Sequence, residues 1–482
     1  MPPVAPDFIS TIKMLTILKW LAAVLLSLLM LVPVVFFAVN WADEELSPEG
    51  QALLRGPAAR VADADNGYFV LLGMDAPADA NALEAGRKVQ ATRERMYQED
   101  PLRQSFASPG LPPVAGTSPD LGFEKVRCAM QGGNCVGRYL ASAVLVREQL
   151  QVHAVALGRY RQMMGLAGYE ERTIPSPFAP LLNYEVLSRA AELQLAGAVL
   201  DIREGREQEG LATLAAEITY HRRLLATAGL LTRMVSAALL RRDFRVLSEV
   251  IESRPDLVQS QQELLRPLLA PLNQQENDLR PAMAAEARSA ATMLNLMLET
   301  MKRQGIDKGD ARSGRGEDWF SRKVYLPNSS INALVPYWSA VAELVHGSPA
   351  GYEERKQQYA QSPATRRKKP FAFDWTYVRN PMGKIMSAFA KPDVADNIER
   401  VHDLDGYIRL VALQAAIRRE QIPPVAIGAY VDLAAANLRN PYTGAPMGWD
   451  AASSSLLFEG HQRATSNPAT EPKTYRVRMR KN

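Results

Sequence analysis

Residues 187–202, Leu-Ser-Arg-Ala-Ala-Glu-Leu-Gln-Leu-Ala-Gly-Ala-Val-Leu-Asp-Ile, carry the pattern that decides the fold class. Their apolar side chains recur every three or four residues, the spacing of one helix face. Gly205 and Gly210 bracket a turn, and Gly229 separates two further stretches with the same spacing. Consecutive helices with short glycine-containing turns predict stacked helical hairpins. The apolar positions are Leu187, Ala191, Leu195, Ala198, Ile202, Leu211, Leu214, Ile218, Leu225, Leu231, Met234, Val235 and Leu239.

The whole chain is predicted to be mainly α, with an N-terminal transmembrane helix, stacked helical hairpins and a small C-terminal helical module that ends in a short β-hairpin. Its 482 residues can bury a sizeable core. The predicted segments are a cytoplasmic N-terminus (1–19), the transmembrane helix (20–42), a juxtamembrane extracytoplasmic region (43–125), a helical-hairpin domain (126–305), an exposed loop (306–331), the C-terminal helical module (332–461) and a basic tail (462–482).

Composition narrows the classes of function. Apolar residues make up 47% of the chain and charged residues 22%, which is typical of globular proteins and argues against wholesale disorder. The 56 basic and 52 acidic residues are mixed along the chain and leave a net charge of +4. A dedicated nucleic-acid binder concentrates its basic residues on one face, so no nucleic-acid partner is predicted.

The membrane segment is predicted from an uncharged run. No charged residue lies between Lys19 and Asp43, and residues 20–42 as a helix would reach about 34 Å, enough for a hydrocarbon core of about 30 Å. Trp20 and Trp41 stand near its two ends, where aromatic rings favour the membrane interface. The lipid bilayer is therefore a predicted partner of residues 20–42.

The alternative to an anchor is a cleaved signal peptide. Signal sequences have apolar stretches of about 7–15 residues followed by a small-x-small site. This run is longer, and residues 37–41 offer no such site. Lys13 and Lys19 precede the run, which predicts a cytoplasmic N-terminus with the bulk of the chain outside.

The two cysteines, Cys128 and Cys135, enclose six residues that include two glycines. This spacing can close a small structural disulfide, which persists in an oxidising compartment. Two free thiols or a reactive pair are the alternatives, although redox pairs favour Cys-x-x-Cys.

Local patterns predict several smaller elements. Residues 66–73 form an apolar run that suits a strand or a buried helical turn. An amphipathic helix is predicted over 400–420, a second short helix over 425–438, and a hairpin that includes 455–458. The tail at 475–481 suits an edge strand or a disordered basic end.

Six short motifs are spread over most of the chain: Asn66-Gly-Tyr68, Leu326-Pro-Asn-Ser-Ser-Ile-Asn332, Asn380-Pro-Met-Gly383, Val401-His-Asp-Leu-Asp-Gly406, Asn440-Pro-Tyr-Thr-Gly-Ala-Pro-Met-Gly-Trp-Asp450 and Phe458-Glu-Gly460. In these motifs the chain resembles an uncharacterised family of bacterial single-pass envelope proteins. The resemblance implies an inner-membrane protein with its bulk in the periplasm but implies no activity. About 60 C-terminal residues are also vaguely similar to the C-terminal lobe of type II secretion pseudopilins, but residues 11–20 lack the peptidase site and glutamate of that class.

Two histidine sites are the candidates for chemistry. Glu217 and His221 are four apart and would share a helix face, the minimum for two metal ligands, although a structural histidine is the simpler interpretation. His402 with Asp403 and Asp405 could form an acid–base set. The favoured interpretation is that these three residues cap and start the 400–420 helix, where acidic groups suit the dipole.

No nucleophile elbow, phosphate-binding loop or dinucleotide fingerprint is present in the sequence, so no cofactor, metal or catalytic residue is predicted. The leading hypothesis is a membrane-anchored scaffold or interaction component of the cell envelope, bound to another envelope protein. One alternative is an extracytoplasmic enzyme with an unrecognised active site. Another is peripheral lipid binding through the basic residues 366–369, which a solvated loop would also explain.

Overall fold

The computed structural model describes residues 8–103, 121–128, 133–174, 178–227, 229–306, 323–366, 378–392, 394–463 and 472–479. Most of the described residues are helical, and one small antiparallel sheet lies near the C-terminus. The mainly α fold class is therefore confirmed. Parts of the predicted exposed loop (307–322), of the basic stretch (367–369) and of the tail (464–471 and 480–482) lie outside the described residues.

The elements are numbered in chain order. The strands are β1 (Gly448–Asp450), β2 (Ser455–Arg463) and β3 (Pro472–Arg478). The helices are α1 (Phe8–Val39), α2 (Pro48–Leu54), α3 (Gly67–Leu72), α4 (Ala82–Glu99), α5 (Leu121–Val126), α6 (Cys135–Ala141), α7 (Ala143–Val152), α8 (Ala154–Gly165), α9 (Tyr184–Arg203), α10 (Glu207–Leu225), α11 (Leu230–Ser253), α12 (Asp256–Ser260), α13 (Gln262–Leu268), α14 (Gln274–Asn277), α15 (Arg280–Ile306), α16 (Pro327–Asn332), α17 (Val335–Leu344), α18 (Tyr352–Gln361), α19 (Pro381–Phe389), α20 (Ala395–Arg419) and α21 (Ile427–Asp432).

The chain divides into two compact units, each built from three stretches of sequence. Unit 1 comprises Met1–Leu54, Ala290–Pro336 and Arg367–Lys391, and unit 2 comprises Arg55–Ser289, Tyr337–Arg366 and Pro392–Asn482.

Helix α1 of unit 1 covers most of the apolar run and is 32 residues long. Most of its described apolar side chains are exposed, among them Leu21, Leu26 and Leu31. Within the described side chains, which omit those of residues 8–16, 25, 28 and 29, no helix combines the length and apolar character needed to cross a bilayer. The predicted transmembrane helix at 20–42 is therefore not confirmed.

The segment that follows α1 is held by two of the sequence motifs, both within unit 1. Asn40 Oδ1 accepts from the Asn380 amide at 2.7 Å, and Arg379 donates to the Val39 carbonyl at 2.6 Å. Asp43 accepts from the amides of Asn328 and Ser329, at 2.7 and 3.0 Å, and so satisfies free donors in the first turn of α16. These bonds fix the end of α1 to the folded part of unit 1.

The core of unit 2 contains the predicted helical hairpins. Helix α10 packs against both α9 and α11, and their apolar positions are almost all buried. Gly205, with φ +87°, allows the sharp turn after α9. A Cβ on Gly210 would lie 2.5 Å from the Ala198 carbonyl oxygen, so this glycine permits the close approach of α10 to α9. The hairpin prediction is confirmed over these three helices.

The C-terminal part of unit 2 departs from the sequence prediction in two respects. The predicted helix at 425–438 is wrong as one element, because α21 covers only Ile427–Asp432 and separate 3₁₀ turns lie at Pro424–Ala426 and Ala436–Leu438. The predicted hairpin is larger, since β3 adds a third strand to the antiparallel sheet.

The sheet has the order β1-β2-β3 and places one apolar face against α20. Leu456 pairs with Val477 and Phe458 with Tyr475, and all four side chains are buried. Alternate residues of β3 are exposed, as expected for a sheet with one solvated face. Of the two interpretations of the tail, residues 475–478 follow the edge-strand one.

Two further predictions concern the first part of unit 2. The apolar run at 66–73 forms α3, whose residues 67–71 are all buried, so its helical interpretation is correct. Cys128 and Cys135 lie at disulfide-bonding distance, with 5.3 Å between their Cα atoms. Their pairing confirms the predicted disulfide.

Candidate functional site

Glu217 and His221 belong to a buried polar cluster of four side chains. Because they are one turn apart on α10, both face the same neighbours. The Tyr160 hydroxyl of α8 donates to Glu217 Oε2 at 2.6 Å and lies 3.0 Å from His221 Nε2. On the other side of the imidazole, Nδ1 lies 2.5 Å from Asp243 Oδ2 of α11. The cluster therefore cross-links three helices through one histidine.

This cluster is closed to solvent. The side chains of Glu217, His221 and Asp243 are all 0% exposed. Burial raises the pKa of Glu217, with a further increase from the negative charge of Asp243 and an opposing effect of His221. The four groups can share and store a proton, but the Tyr160 hydroxyl occupies the space between Glu217 and His221 where a ligand would bridge them. This geometry fits an internal cross-link.

A second buried ion pair was not predicted. Glu192 of α9 pairs with Arg242 of α11 at 3.0 Å and accepts from the Tyr139 hydroxyl at 3.0 Å and from the Cys128 amide. Both charged side chains are at most 3% exposed. Nothing in the sequence marks this pair, because its two residues are 50 positions apart. Its contact with Cys128 fixes one end of the disulfide loop.

Asp403 is the centre of a third buried cluster. Its Oδ1 accepts from the Tyr442 hydroxyl at 2.7 Å and from the His461 amide at 2.8 Å. Its Oδ2 accepts from the Gln462 amide at 3.1 Å and from the Tyr475 hydroxyl at 3.2 Å. Four donors satisfy this fully buried carboxylate and hold the sheet and the Asn440–Asp450 motif on α20.

The predicted capping role of His402, Asp403 and Asp405 is wrong. Helix α20 begins at Ala395, so these residues lie two turns inside it and are at most 1% exposed. These acidic residues make tertiary contacts instead of capping the helix. Asp403 binds the sheet, while Asp405 accepts a hydrogen bond from the Leu272 amide at 2.7 Å and pairs with Arg409 at 2.9 Å. Donors on other segments, together with Arg409 of α20 itself, therefore compensate these charges inside the helix.

His402 does not form an acid–base pair with Asp403. Its ring packs edge-on against Tyr352, with 5.2 Å between ring centroids. Burial lowers the pKa of His402, and together with smaller contributions from the positive charges of Arg355 and His461 it brings this pKa to about 3. Among the described residues, its Nδ1 has no hydrogen-bond partner. The imidazole is therefore held neutral within an aromatic cluster.

A cleft of about 940 Å³ lies over helices α7–α10 and was not predicted. Arg147 and Arg206 pair with Glu204 at its edge. Tyr220, which is 2% exposed, lines the cleft, and its hydroxyl has no partner in the described part of the chain. None of the four cluster residues Tyr160, Glu217, His221 and Asp243 lines it. The other polar lining residues are Arg161, Gln194, Asp201, Thr213, Thr219 and Arg223.

Neither a metal-binding group nor a similar protein identifies the function of these clusters. Where the chain is described, no group of three His, Cys, Asp or Glu side chains is arranged to hold a metal ion. No protein family, curated protein or solved structure matches the sequence or the fold. The resemblance to an uncharacterised envelope family stays a prediction.

Proposed function

We propose that the chain is a membrane-anchored scaffold or interaction protein of a bacterial envelope, with its folded units outside the cytoplasm. One observation carries the non-catalytic part of this proposal. The five side chains that the sequence offers for chemistry are all at most 1% exposed: Glu217, His221, His402, Asp403 and Asp405. Glu217, His221 and Asp403 bond to groups on other segments, while the His402 ring packs among aromatic rings. Groups used in this way stabilise a rigid domain and are closed to solvent.

The anchor is the proposed role of residues 20–42 within α1. It is supported by the uncharged run in the sequence and by the exposed apolar side chains of α1, such as Leu26 at 63% and Met30 at 68%. Unpartnered apolar surface of this kind is stable in contact with lipid.

A scaffold needs a defined connection between its anchor and its folded part. The hydrogen bonds of Asn40, Asp43 and Arg379 provide this connection within unit 1. They hold the residues that directly follow α1 to the folded part of the unit. A flexible linker would leave these polar groups to water. The proposed anchor therefore continues into unit 1 without a free tether.

Three measurements on the full chain in bacterial cells test this proposal. Carbonate extraction tests the anchor, and a C-terminal reporter that is active only outside the cytoplasm tests the orientation. Crosslinking at native expression, followed by capture in mild detergent, tests the scaffold role. We expect a carbonate-resistant, reporter-active protein that brings down one envelope protein in near-equal amount. Release by carbonate would contradict the anchor, and purification as a lone monomer would contradict the scaffold.

A matched pair of variants sharpens the anchor test. Leu26→Arg and Leu31→Arg together place two charges in the proposed span, where each costs about 2.5 kcal/mol or more for insertion. Val144→Arg and Val152→Arg place two charges at exposed positions of α7. Only the first pair should release the chain from the membrane. Retention of that variant would contradict lipid contact at α1.

One observation favours the alternative, an enzyme of unknown reaction. The unpartnered Tyr220 hydroxyl lines the cleft and is followed directly by His221. If the cleft binds a substrate, Tyr220→Phe should abolish the cellular phenotype that the wild-type gene restores, while the protein keeps its stability. Full complementation by this variant would exclude a catalytic role for the hydroxyl.

A further inference from the structure

The cleft over helices α7–α10 of unit 2 is elongated, and much of its lining is apolar. On α10 the lining runs from Ala212 to Arg223, which is about 16 Å along a helix axis. Ala212 and Ala216 are exposed, so the cleft is open to solvent along this helix. Small side chains on α9 and α10 leave the space that forms it. The small and apolar lining residues are Leu150, Met164, Gly165, Gly197, Ala198, Leu200, Ala212, Ala215 and Ala216.

At one end of the cleft the charged side chains neutralise one another. Arg147 and Arg206 both pair with Glu204, and Arg206 also pairs with Asp201. Two positive and two negative side chains therefore leave this end, which we call the paired end, without a formal net charge. A ligand gains no unpaired charge to bind there.

The other end of the cleft has two arginines that no carboxylate neutralises. Arg161 of α8 donates from Nε to the neutral Gln194 side chain at 3.0 Å, and Arg223 of α10 donates to the Leu166 carbonyl at 2.6 Å. Among the described residues, neither guanidinium group forms an ion pair. Leu166 directly follows α8, so the Arg223 guanidinium lies at the C-terminal end of the helix that carries Arg161. We call this the arginine end.

Tyr220 adds an unsatisfied hydroxyl beside the arginine end. It lines the cleft one turn before Arg223 and is 2% exposed, and in the described part of the chain its hydroxyl has no hydrogen-bond partner. Burial raises the pKa of Tyr220, with an opposing effect from the positive charge of Arg223 and a further increase from Glu217. The hydroxyl therefore stays protonated within electrostatic range of Arg223. A buried hydroxyl without a partner is costly, and an acceptor atom of a ligand would satisfy it.

We propose that this cleft binds a small amphipathic anion, namely a single apolar chain that ends in a carboxylate or phosphate group. Guanidinium groups donate several hydrogen bonds to such oxygens, so the anionic group would bind at the arginine end. The chain would lie along the glycine and alanine residues of α9 and α10. A volume of about 940 Å³ is within the range of small-molecule sites. This inference does not depend on the proposed scaffold function or on the anchor.

A peptide is a poorer fit to the same cleft. Each of its residues would bring an amide and a carbonyl that need hydrogen-bond partners. The lining between the two ends consists mainly of glycine, alanine and other apolar residues, which supply few such partners. An alkyl chain has no polar groups to satisfy.

Binding is measured by calorimetry on the full chain in an amphipathic polymer, because free detergent would itself compete for the cleft. The probes are sodium decanoate and decyl phosphate, each below its micelle concentration at neutral pH, and decanol is the uncharged control. We expect at least one anion to bind about tenfold more tightly than decanol. The tighter anion identifies the head group as a carboxylate or a phosphate. Equal binding of decanol, or no binding of either anion, overturns the proposal.

Variants at the arginine end test the contact with the anion. We expect Arg161→Gln and Arg223→Gln each to weaken anion binding about tenfold. Arg203→Gln is the matched control, because Arg203 is exposed in the last turn of α9 and does not line the cleft. If the half-buried Arg223 cannot be replaced without unfolding, the exposed Arg161 decides the test. An equal loss in Arg203→Gln, or no loss at the arginine end, overturns the assignment.

A second pair of variants tests the position of the chain. Ala216→Leu adds bulk at an exposed lining position of α10, and we expect it to weaken anion binding about tenfold by filling the cleft. Ala284→Leu adds the same bulk at an exposed position of α15 outside the lining and should leave affinity unchanged. Unchanged binding by a folded Ala216→Leu protein would show that the chain lies elsewhere and overturn the proposal.

Discussion

The Tyr442 hydroxyl donates a 2.7 Å hydrogen bond to Asp403 Oδ1, which fastens the Asn-Pro-Tyr-Thr-Gly segment to α20. The same carboxylate binds the amides of His461 and Gln462. A Cβ on Gly460 would lie 2.2 Å from Asp403 Oδ2, so the glycine of Phe-Glu-Gly allows this approach. Three motifs that are distant in sequence therefore meet at one side chain, and their shared role is structural.

The first prediction concerns this carboxylate. Asp403→Asn replaces one acceptor oxygen by a donor that faces the donors of the sheet, and we expect it to lower the free energy of unfolding by about 3 kcal/mol. Tyr442→Phe removes a single bond and should cost about 2 kcal/mol. Urea unfolding measures both.

The control for that prediction is Asp396→Asn, which removes an exposed carboxylate from the first turn of the same helix. Its expected cost is at most about 1 kcal/mol, because only the dipole interaction is lost. Similar effects for Asp403→Asn and Asp396→Asn would contradict the role of Asp403 as the joint between helix and sheet.

The second prediction uses a glycine inside α20. A Cβ on Gly406 would lie 2.1 Å from Phe458 Cζ, so the sheet can approach only because this position has no side chain. Glycine to alanine inside a helix normally stabilises by up to about 1 kcal/mol. Here we expect Gly406→Ala to destabilise by about 1–3 kcal/mol, since Phe458 must move.

Gly158→Ala is the matched control, because Gly158 is exposed in α8 and a Cβ there meets no atom within 4 Å. It should stabilise the protein. Opposite signs for the two alanine variants in thermal or urea unfolding are the diagnostic result, and stabilisation by both would show that α20 and β2 are farther apart than described.

The helical hairpins could be predicted because their cause is local. Leu187, Leu195 and Ile202 repeat at the period of one helix face, and Gly205 marks the turn in the same short stretch of chain. The disulfide followed from spacing in the same way. Structural features whose cause lies within a short stretch of chain can therefore be predicted from the sequence.

The role of the acidic residues in α20 could not be predicted, because its cause is not local. From the sequence, Asp403 is interpreted as a residue at the start of a helix. Its actual hydrogen-bond donors include the hydroxyls of Tyr442 and Tyr475, which are 39 and 72 positions away. The ion pair of Glu192 and Arg242 could not be predicted either, because the two residues are 50 positions apart in the sequence. A sequence shows which residues are charged, but only the fold shows which of them are compensated.

The third prediction concerns the disulfide, which closes a loop between positions seven apart. For a loop of this size, chain entropy predicts a contribution of about 2–3 kcal/mol to the free energy of unfolding. Reductant should lower the stability of the wild type by that amount. It should leave the double variant Cys128→Ala, Cys135→Ala unchanged, because that chain has no bond to lose. Equal stability of the oxidised and reduced wild type would contradict a stabilising bond.

The fourth prediction concerns the pH dependence of stability that His402 causes. Its folded pKa, about 3, lies below the ordinary value of 6.5, so the unfolded chain binds a proton between these values and the folded chain does not. The stability that the neutral imidazole provides is therefore fully present above pH 6.5 and is lost as the pH falls toward 3. Between pH 7 and 5 this amounts to a loss of about 2 kcal/mol.

The measurement that isolates this effect is urea unfolding of the wild type and of His402→Gln at pH 5, 6 and 7. Other groups also titrate in this range, so the difference in slope between the two proteins is the quantity of interest. His402→Gln should flatten the decline by about 2 kcal/mol over the range. His346→Gln, which replaces an exposed histidine, is the matched control and should leave the decline unchanged. Parallel slopes for the wild type and His402→Gln would show that the imidazole is accessible to protons in the folded protein.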